Sequence, residues 1–128
     1  MITADTSALL AVVLGEPEAE RFLGVLRSDA VAISAASLAE ALIVCEARQG
    51  PDATRDMELL VGGVVDRVVA VDEAHARAAV NAWRRFGKGR HPAGLNFGDC
   101  LAYATASLAN LPLLFKGEDF TQTDLRAA

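Results

Sequence analysis

Positive charge, cysteine, histidine and aromatic bulk are all scarce in this chain, and each scarcity removes a class of function. Its 128 residues carry 12 Lys and Arg against 17 Asp and Glu, for a formal net charge of -5. A generic nucleic-acid coating protein is therefore excluded, because nonspecific affinity for phosphates comes from Lys and Arg. A nuclease is not excluded, since acids that surround metal ions are locally offset and a small basic patch can meet the phosphates. The only cysteines, Cys45 and Cys100, lie in apolar helical patterns without C-x-x-C spacing. That spacing argues for buried reduced thiols rather than a disulfide or zinc site, and for a reducing cytoplasm. No apolar run reaches the ~18 residues of a membrane span. The N-terminal run has no basic region before it and is broken by Asp5, so neither a secretory signal nor a membrane partner is expected. A glycine-rich phosphate loop and a Ser/His/Asp arrangement are missing too.

What is present is aliphatic. The chain is 52% hydrophobic but only 5% aromatic, so its core must be built from Ala, Val and Leu, which suits helices packed on a buried sheet. The length fits one domain spanning residues 1–128. Short strands are expected at Ile2 to Ala4, Val31 to Ile33, Arg67 to Val71 and Pro112 to Phe115. Helices are expected at Ala8 to Leu14, Pro17 to about Arg27, from a Ser34 or Ser37 cap to about Gln49, Asp52 to Val61, and Glu73 to about Phe86 behind an Asp72 cap. The segment from Gly87 to Gly98 reads as a long exposed loop, and Asp99 opens a last helix. Alternating short strands and longer helices imply an α/β fold of parallel βαβ units with helices on both faces. Ligands then bind at the carboxyl ends of the strands.

Four carboxylates interrupt or end apolar segments: Asp5, Glu40, Asp99 and Asp119. Three have ordinary explanations. Asp5 can cap a helix, Asp99 can complement a helix dipole and Asp119 can sit in a turn. Glu40 is different, because its neighbours at helical spacing are Ala36, Ser37, Ile43 and Val44, and an ionised carboxylate in such a stripe needs a partner. The parallel topology lets all four meet at one crevice. Oxygen-only ligands suit Mg²⁺ or Mn²⁺, which can activate water against a phosphodiester without a histidine or serine nucleophile. Thr6 and Ser7 can cap the helix or support the carboxylates.

A basic run, Arg84, Arg85, Lys88, Arg90 and His91, directly precedes Asp99. Either it is a solvated helix end or it contacts RNA phosphates. Trp83 and Tyr103 read as packing residues, and His75, beside Asp72 and Glu73, as a helix-surface histidine.

The segments Asp5 to Leu9, Ser37 to Leu42, Asn96 to Ala106 and Phe115 to Phe120 resemble, in order and spacing, the motifs of PIN-domain ribonucleases. More closely the chain resembles toxins of the VapC type. The resemblance covers essentially the whole chain. It implies a PIN-like three-layer α/β/α fold with a short central parallel sheet, and Mg²⁺- or Mn²⁺-dependent endonucleolytic cleavage of RNA leaving 5′-phosphate and 3′-hydroxyl ends. It further implies that Asp5 and Asp99 hold the central metal, that Glu40 binds it directly or through water, and that Asp119 helps bind a second ion or orient water. Glu118 and Asp124 lie near that fourth position. A homodimer and a VapB-type antitoxin, whose C-terminal segment enters the site, are also implied.

Two other classes compete. A receiver-like signalling domain would use Asp5, Asp72 and Lys116 at strand ends, but leaves Glu40 and Asp99 unexplained. A catalytically silent PIN-like binding module would have lost a core acid, and none is missing.

Overall fold

The computed structural model describes residues 1–128. Four short parallel strands form the sheet: β1 (Ile2–Ala4), β2 (Val31–Ser34), β3 (Arg67–Val69) and β4 (Leu113–Leu114). Their order is β3-β2-β1-β4, so the chain winds outward from β1 through β3 and then returns to its other side. The reversal of direction falls between β1 and β4, and a sheet of this kind opens its ligand crevice at such a point, beyond the strands' carboxyl ends. Asp5 immediately follows β1 there.

Six helices connect the strands: α1 (Thr6–Val13), α2 (Ala19–Ser28), α3 (Ala35–Gln49), α4 (Pro51–Val64), α5 (Glu73–Phe86) and α6 (Phe97–Ala109). The two-residue period of the strands sorts their side chains into two cores. Ile2, Ala4, Val31, Ile33 and Leu114 pack with Leu9, Phe22, Cys45 and Met57 from the first four helices. Leu113 faces the other way and joins Phe86, Leu95, Leu101 and Tyr103 around α5 and α6. The result is the expected three-layer α/β/α arrangement. Both cysteines are buried and free, as expected. No helix is long and apolar enough to cross a membrane. The outer edge of β4 is covered by the C-terminus, where Leu113 N donates to Arg126 O at 2.9 Å and Ala128 N donates to Leu113 O at 2.9 Å. A paired edge is closed to stray strands.

Several local readings change. The third strand stops at Val69, and the segment from Gly87 to Gly98 is not simply an exposed loop. Gly87 and Leu95 bridge each other, Ala93 and Leu95 are buried, and Phe97 and Gly98 already belong to α6. Apolar side chains at 93 and 95 pull that segment onto the second core, which glycine and proline content alone does not reveal. His75 is buried, not a surface residue: the ring Nδ1 lies 2.7 Å from Asp72 Oδ1, so the N-cap carboxylate covers its polar edge. The apolar stripe around Glu40 is only partly buried, since Ile43 is 68% exposed. Glu40 itself is half-buried, so the helix is less enclosed than its composition suggests.

Candidate active site

Asp5 has both of the roles its position allowed. With extended backbone (φ -86°, ψ 156°) it caps α1, and Ser7 donates its amide (3.0 Å) and its hydroxyl (2.6 Å) to Asp5 Oδ2. Ser7 Oγ in turn accepts the Lys116 amide at 2.9 Å. Ser7 thus ties the chain leaving β4 to the carboxylate leaving β1. Both Ser7 donors converge on Oδ2, which leaves Oδ1 for another partner. Asp5 is only 5% exposed. Burial pushes its pKa up, the Ser7 hydrogen bonds oppose that rise, and the nearby charge of Glu40 adds to it.

Asp99 enters from the opposite layer. Asn96, rather than Asp99, opens α6, and the two form a reciprocal capping box: Asp99 N donates to Asn96 Oδ1 at 2.9 Å, and Asn96 N donates to Asp99 Oδ2 at 3.1 Å. Asn96 was not singled out from the sequence, although Asn-x-x-Asp before an apolar run is a legible capping signal. The Asp99 carboxyl is pushed up to about 6, first by burial, then against the pull of the Asn96 amide by the charges of Asp5, Asp119 and Glu40. Asp99 therefore lies within reach of the charges of the other three acids, and Asp5 within reach of that of Glu40.

Asp119 is the outermost of the four, the exposed first residue of a short 3-10 turn, Asp119–Gln122. The two alternatives beside it are engaged elsewhere. The carbonyl and carboxylate of Glu118 both take the Thr121 hydroxyl, at 2.5 and 3.4 Å. Asp124 accepts the Tyr103 hydroxyl at 2.5 Å and Arg85 at 3.3 Å. Burial acts to raise its pKa, but Tyr103 and Arg85 overcome this and hold the carboxyl low.

Every ion pair in the chain lies outside this quartet: Met1 amine with Asp29, His75 with Asp72, Arg77 with Glu73, Arg85 with Asp124, and Lys116 with Glu16 and Glu18. Clustered carboxylates with no cationic partner fit a hard divalent cation, whose preferred donors are oxygens. No three of them are drawn closely enough together to form a finished metal-coordinating group.

Thr6 does not reach the quartet. Its hydroxyl donates to Ser37 O at 3.0 Å and fastens α1 to the first turn of α3, the helix that carries Glu40. The basic run is divided in its duties. Arg85 lies over Phe86 and against Asp124, Arg90 lies over Trp83 with its Nε donating to Arg84 O, and His91 packs edge-on to Phe86 while accepting the Ala93 amide. Arg84 makes a long contact to Asn81, and Lys88 lines an apolar groove with no acidic partner. The receiver-like alternative loses its residues as well, because Asp72 caps α5 and covers His75 while Lys116 is held by two glutamates.

Comparisons with known proteins identify the family. The profile of the PIN domain matches residues 2–125. A Ribonuclease VapC of Mycolicibacterium smegmatis is 48% identical over 124 residues, covering 96% of this chain and 96% of the relative. Ribonuclease VapC30 of Mycobacterium tuberculosis is 47% identical over 122 residues, with 94% and 93% covered. Among solved structures, the sarcin-ricin loop cleaving toxin VapC20 of Mycobacterium tuberculosis superposes with a TM-score of 0.81 at 20% identity, over 100% of this chain and 98% of that one. A toxin-antitoxin complex from Klebsiella pneumoniae gives 0.71, also at 20% identity, with 97% and 93% covered. These last two establish the fold alone. The matched residues begin before Asp5 and run past Asp119, and the chain belongs to the PIN-domain family and, within it, to the VapC ribonucleases.

Proposed function

We propose that this chain is a divalent-metal-dependent endoribonuclease and the toxin of a VapBC-type pair, acting in the cytoplasm and restrained by a VapB-type antitoxin. The observation that carries the metal site is electrostatic: burial and neighbouring carboxylates raise the cost of charging Asp5 and Asp99, and no ion pair reaches Asp5, Glu40, Asp99 or Asp119. Asp5 and Asp99 would hold the ion, each carboxylate oriented through one oxygen by Ser7 or Asn96. Glu40 completes the set from α3, and Asp119 stands at the mouth, suited to a second ion or to orienting water. Bound Mg²⁺ or Mn²⁺ supplies activation of the attacking water and neutralises charge at the phosphodiester. The protein's own part is to keep the oxygens oriented and the floor of the crevice dry, which the buried β1 end provides.

RNA reaches the site past Arg84, Arg85, Lys88, Arg90 and His91, of which Lys88 and Arg84 are the least committed to internal contacts. Antitoxin inhibition follows from the same charge: an Arg or Lys entering the crevice pairs with the carboxylates in place of metal. The apolar groove of about 590 Å³ at Trp83, Phe97 and Leu101, together with exposed Ile43 and Leu59, offers surface for a homodimer and for the antitoxin.

The test is substitution at the acids. Asp5→Asn and Asp99→Asn are each expected to abolish Mg²⁺-dependent cleavage of RNA while the far-UV circular dichroism of the folded chain is kept. Cleavage retained in both variants overturns the site. Saturating the wild type with its antitoxin is expected to stop cleavage, and undiminished cleavage in that complex overturns the proposed inhibition.

A further inference from the structure

Gly98 is the second residue of α6, and its backbone is not in the left-handed region, so no conformation there demands glycine. Inside a helix glycine is less favourable than alanine, because the unfolded chain gives up more freedom to form it. What requires glycine at this position is space. A Cβ added to Gly98 would stand 2.8 Å from Glu40 Oε2, 3.2 Å from Oε1 and 3.3 Å from the carboxyl carbon. All three atoms at the end of that side chain therefore rest against the bare Cα.

Gly87 shows the contrast. A Cβ there would stand 2.4 Å from the Trp83 carbonyl oxygen, which is backbone and cannot retreat, so that glycine serves the fold. At Gly98 every atom met belongs to the mobile end of one glutamate. Alanine can be accommodated by pushing the carboxylate aside, and the fold has little reason to object. What such a change displaces is the Glu40 carboxylate, which lies against Gly98, the residue before Asp99.

We infer that Gly98 is a positioning residue for the metal site: by presenting no side chain, it lets the Glu40 carboxylate lie against the first turn of α6 beside Asp99. This inference rests on the proposed role of Glu40 toward the metal. It adds that the glutamate's oxygens are located by a contact across the two layers of the molecule, from α3 to α6, rather than by a hydrogen bond.

The experiment is titration of the metal-free full chain with Mn²⁺, followed by the electron paramagnetic resonance of the free ion. Gly98→Ala is expected to lose roughly 10- to 100-fold in Mn²⁺ affinity, the range typical of residues that orient ligands. Its thermal midpoint without metal should be no lower than that of the wild type. Combining it with Glu40→Asp withdraws the carboxylate by one methylene, and the double variant should bind Mn²⁺ more tightly than Gly98→Ala alone. A defect arising only from the start of α6 would not be rescued in that way. Wild-type affinity in Gly98→Ala, or a double variant no tighter than the single, overturns the inference. Asp99→Asn separates the two levels: if it abolishes Mn²⁺ binding while Gly98→Ala binds like the wild type, the role of Gly98 alone fails. If Asp99→Asn binds Mn²⁺ like the wild type, the metal site itself fails and takes the inference with it.

Discussion

Asp99 and Asp5 are held against their own electrostatic preference, and that tension is measurable without any substrate. The Asp99 carboxyl sits at about 6 in the folded chain against an ordinary value of 3.8, with burial the leading cause. An acid whose folded value is raised contributes stability at low pH and loses it as pH rises through the folded value. Between pH 4 and pH 6 the metal-free protein should therefore lose part of its stability, and Asp5 shifts in the same direction. Asp99→Asn removes the charge, and should stabilise the metal-free chain at pH 7 by about 1–2 kcal/mol once solvent screening of this half-buried group is allowed for. Urea melts of both proteins at pH 5 and pH 7 check this, and a variant less stable than wild type at pH 7 contradicts it. Ser7 works in the opposite sense, since it donates to Asp5 and accepts from Lys116. Ser7→Ala leaves the strand-end amide and the buried carboxylate short of a partner. It should destabilise the fold by about 1–3 kcal/mol in the same melts, the usual penalty for an orphaned polar group.

At the level of the elements, some features are encoded locally in the sequence and others are not. The end of β1 and the start of α5 carry strong local signals, a short aliphatic run before Asp5 and a lone Asp72 before a helical pattern, and both lie where expected. From the sequence, Asp5 reads as either cap or ligand. A carboxylate has two oxygens, however, and the α1 terminus occupies only one of them. Glu40 drew notice through apolar neighbours, yet Ile43 beside it is exposed. What sets it apart is its contact with Gly98 of α6, and no local pattern encodes a meeting of residues so far apart in the chain. In the segment before α6 glycine and proline suggest exposure, whereas the buried Ala93 and Leu95 anchor it. The helix start that follows is stabilised by Asn96, and this gives a prediction at the level of the element. Asn96→Ala removes half of the capping box and should lower stability by about 0.5–2 kcal/mol. Because the fraying turn bears Asp99, Mn²⁺ affinity should fall along with the melting temperature. A loss of stability with unchanged Mn²⁺ affinity would separate the cap from the site.

For the molecule as a whole, four like charges are gathered where two helical layers meet over the carboxyl edge of one sheet. β1 and β4 bring Asp5 and the chain toward Asp119, α3 brings Glu40 and α6 brings Asp99, so the proposed site requires both cores to be assembled. An ion that binds there binds the folded state and not the unfolded chain, and by mass action it must stabilise the fold. At a free Mn²⁺ concentration 100 times its dissociation constant the gain at pH 7 should be about 2.7 kcal/mol. Protons compete for the same oxygens, so the gain should shrink as pH falls through about 6, where Asp99 takes up its proton. The metal-free protein moves the other way over that interval, becoming more stable as the acids are neutralised. The two melting curves, with and without Mn²⁺, should therefore converge as pH is lowered from 7 to 5. They should coincide at every pH in the Asp5→Asn, Asp99→Asn double variant. Differential scanning calorimetry of the full chain at fixed Mn²⁺ reads both effects. A metal-dependent shift that persists unchanged at pH 5, or that survives loss of both aspartates, would place the bound ion somewhere other than this crevice.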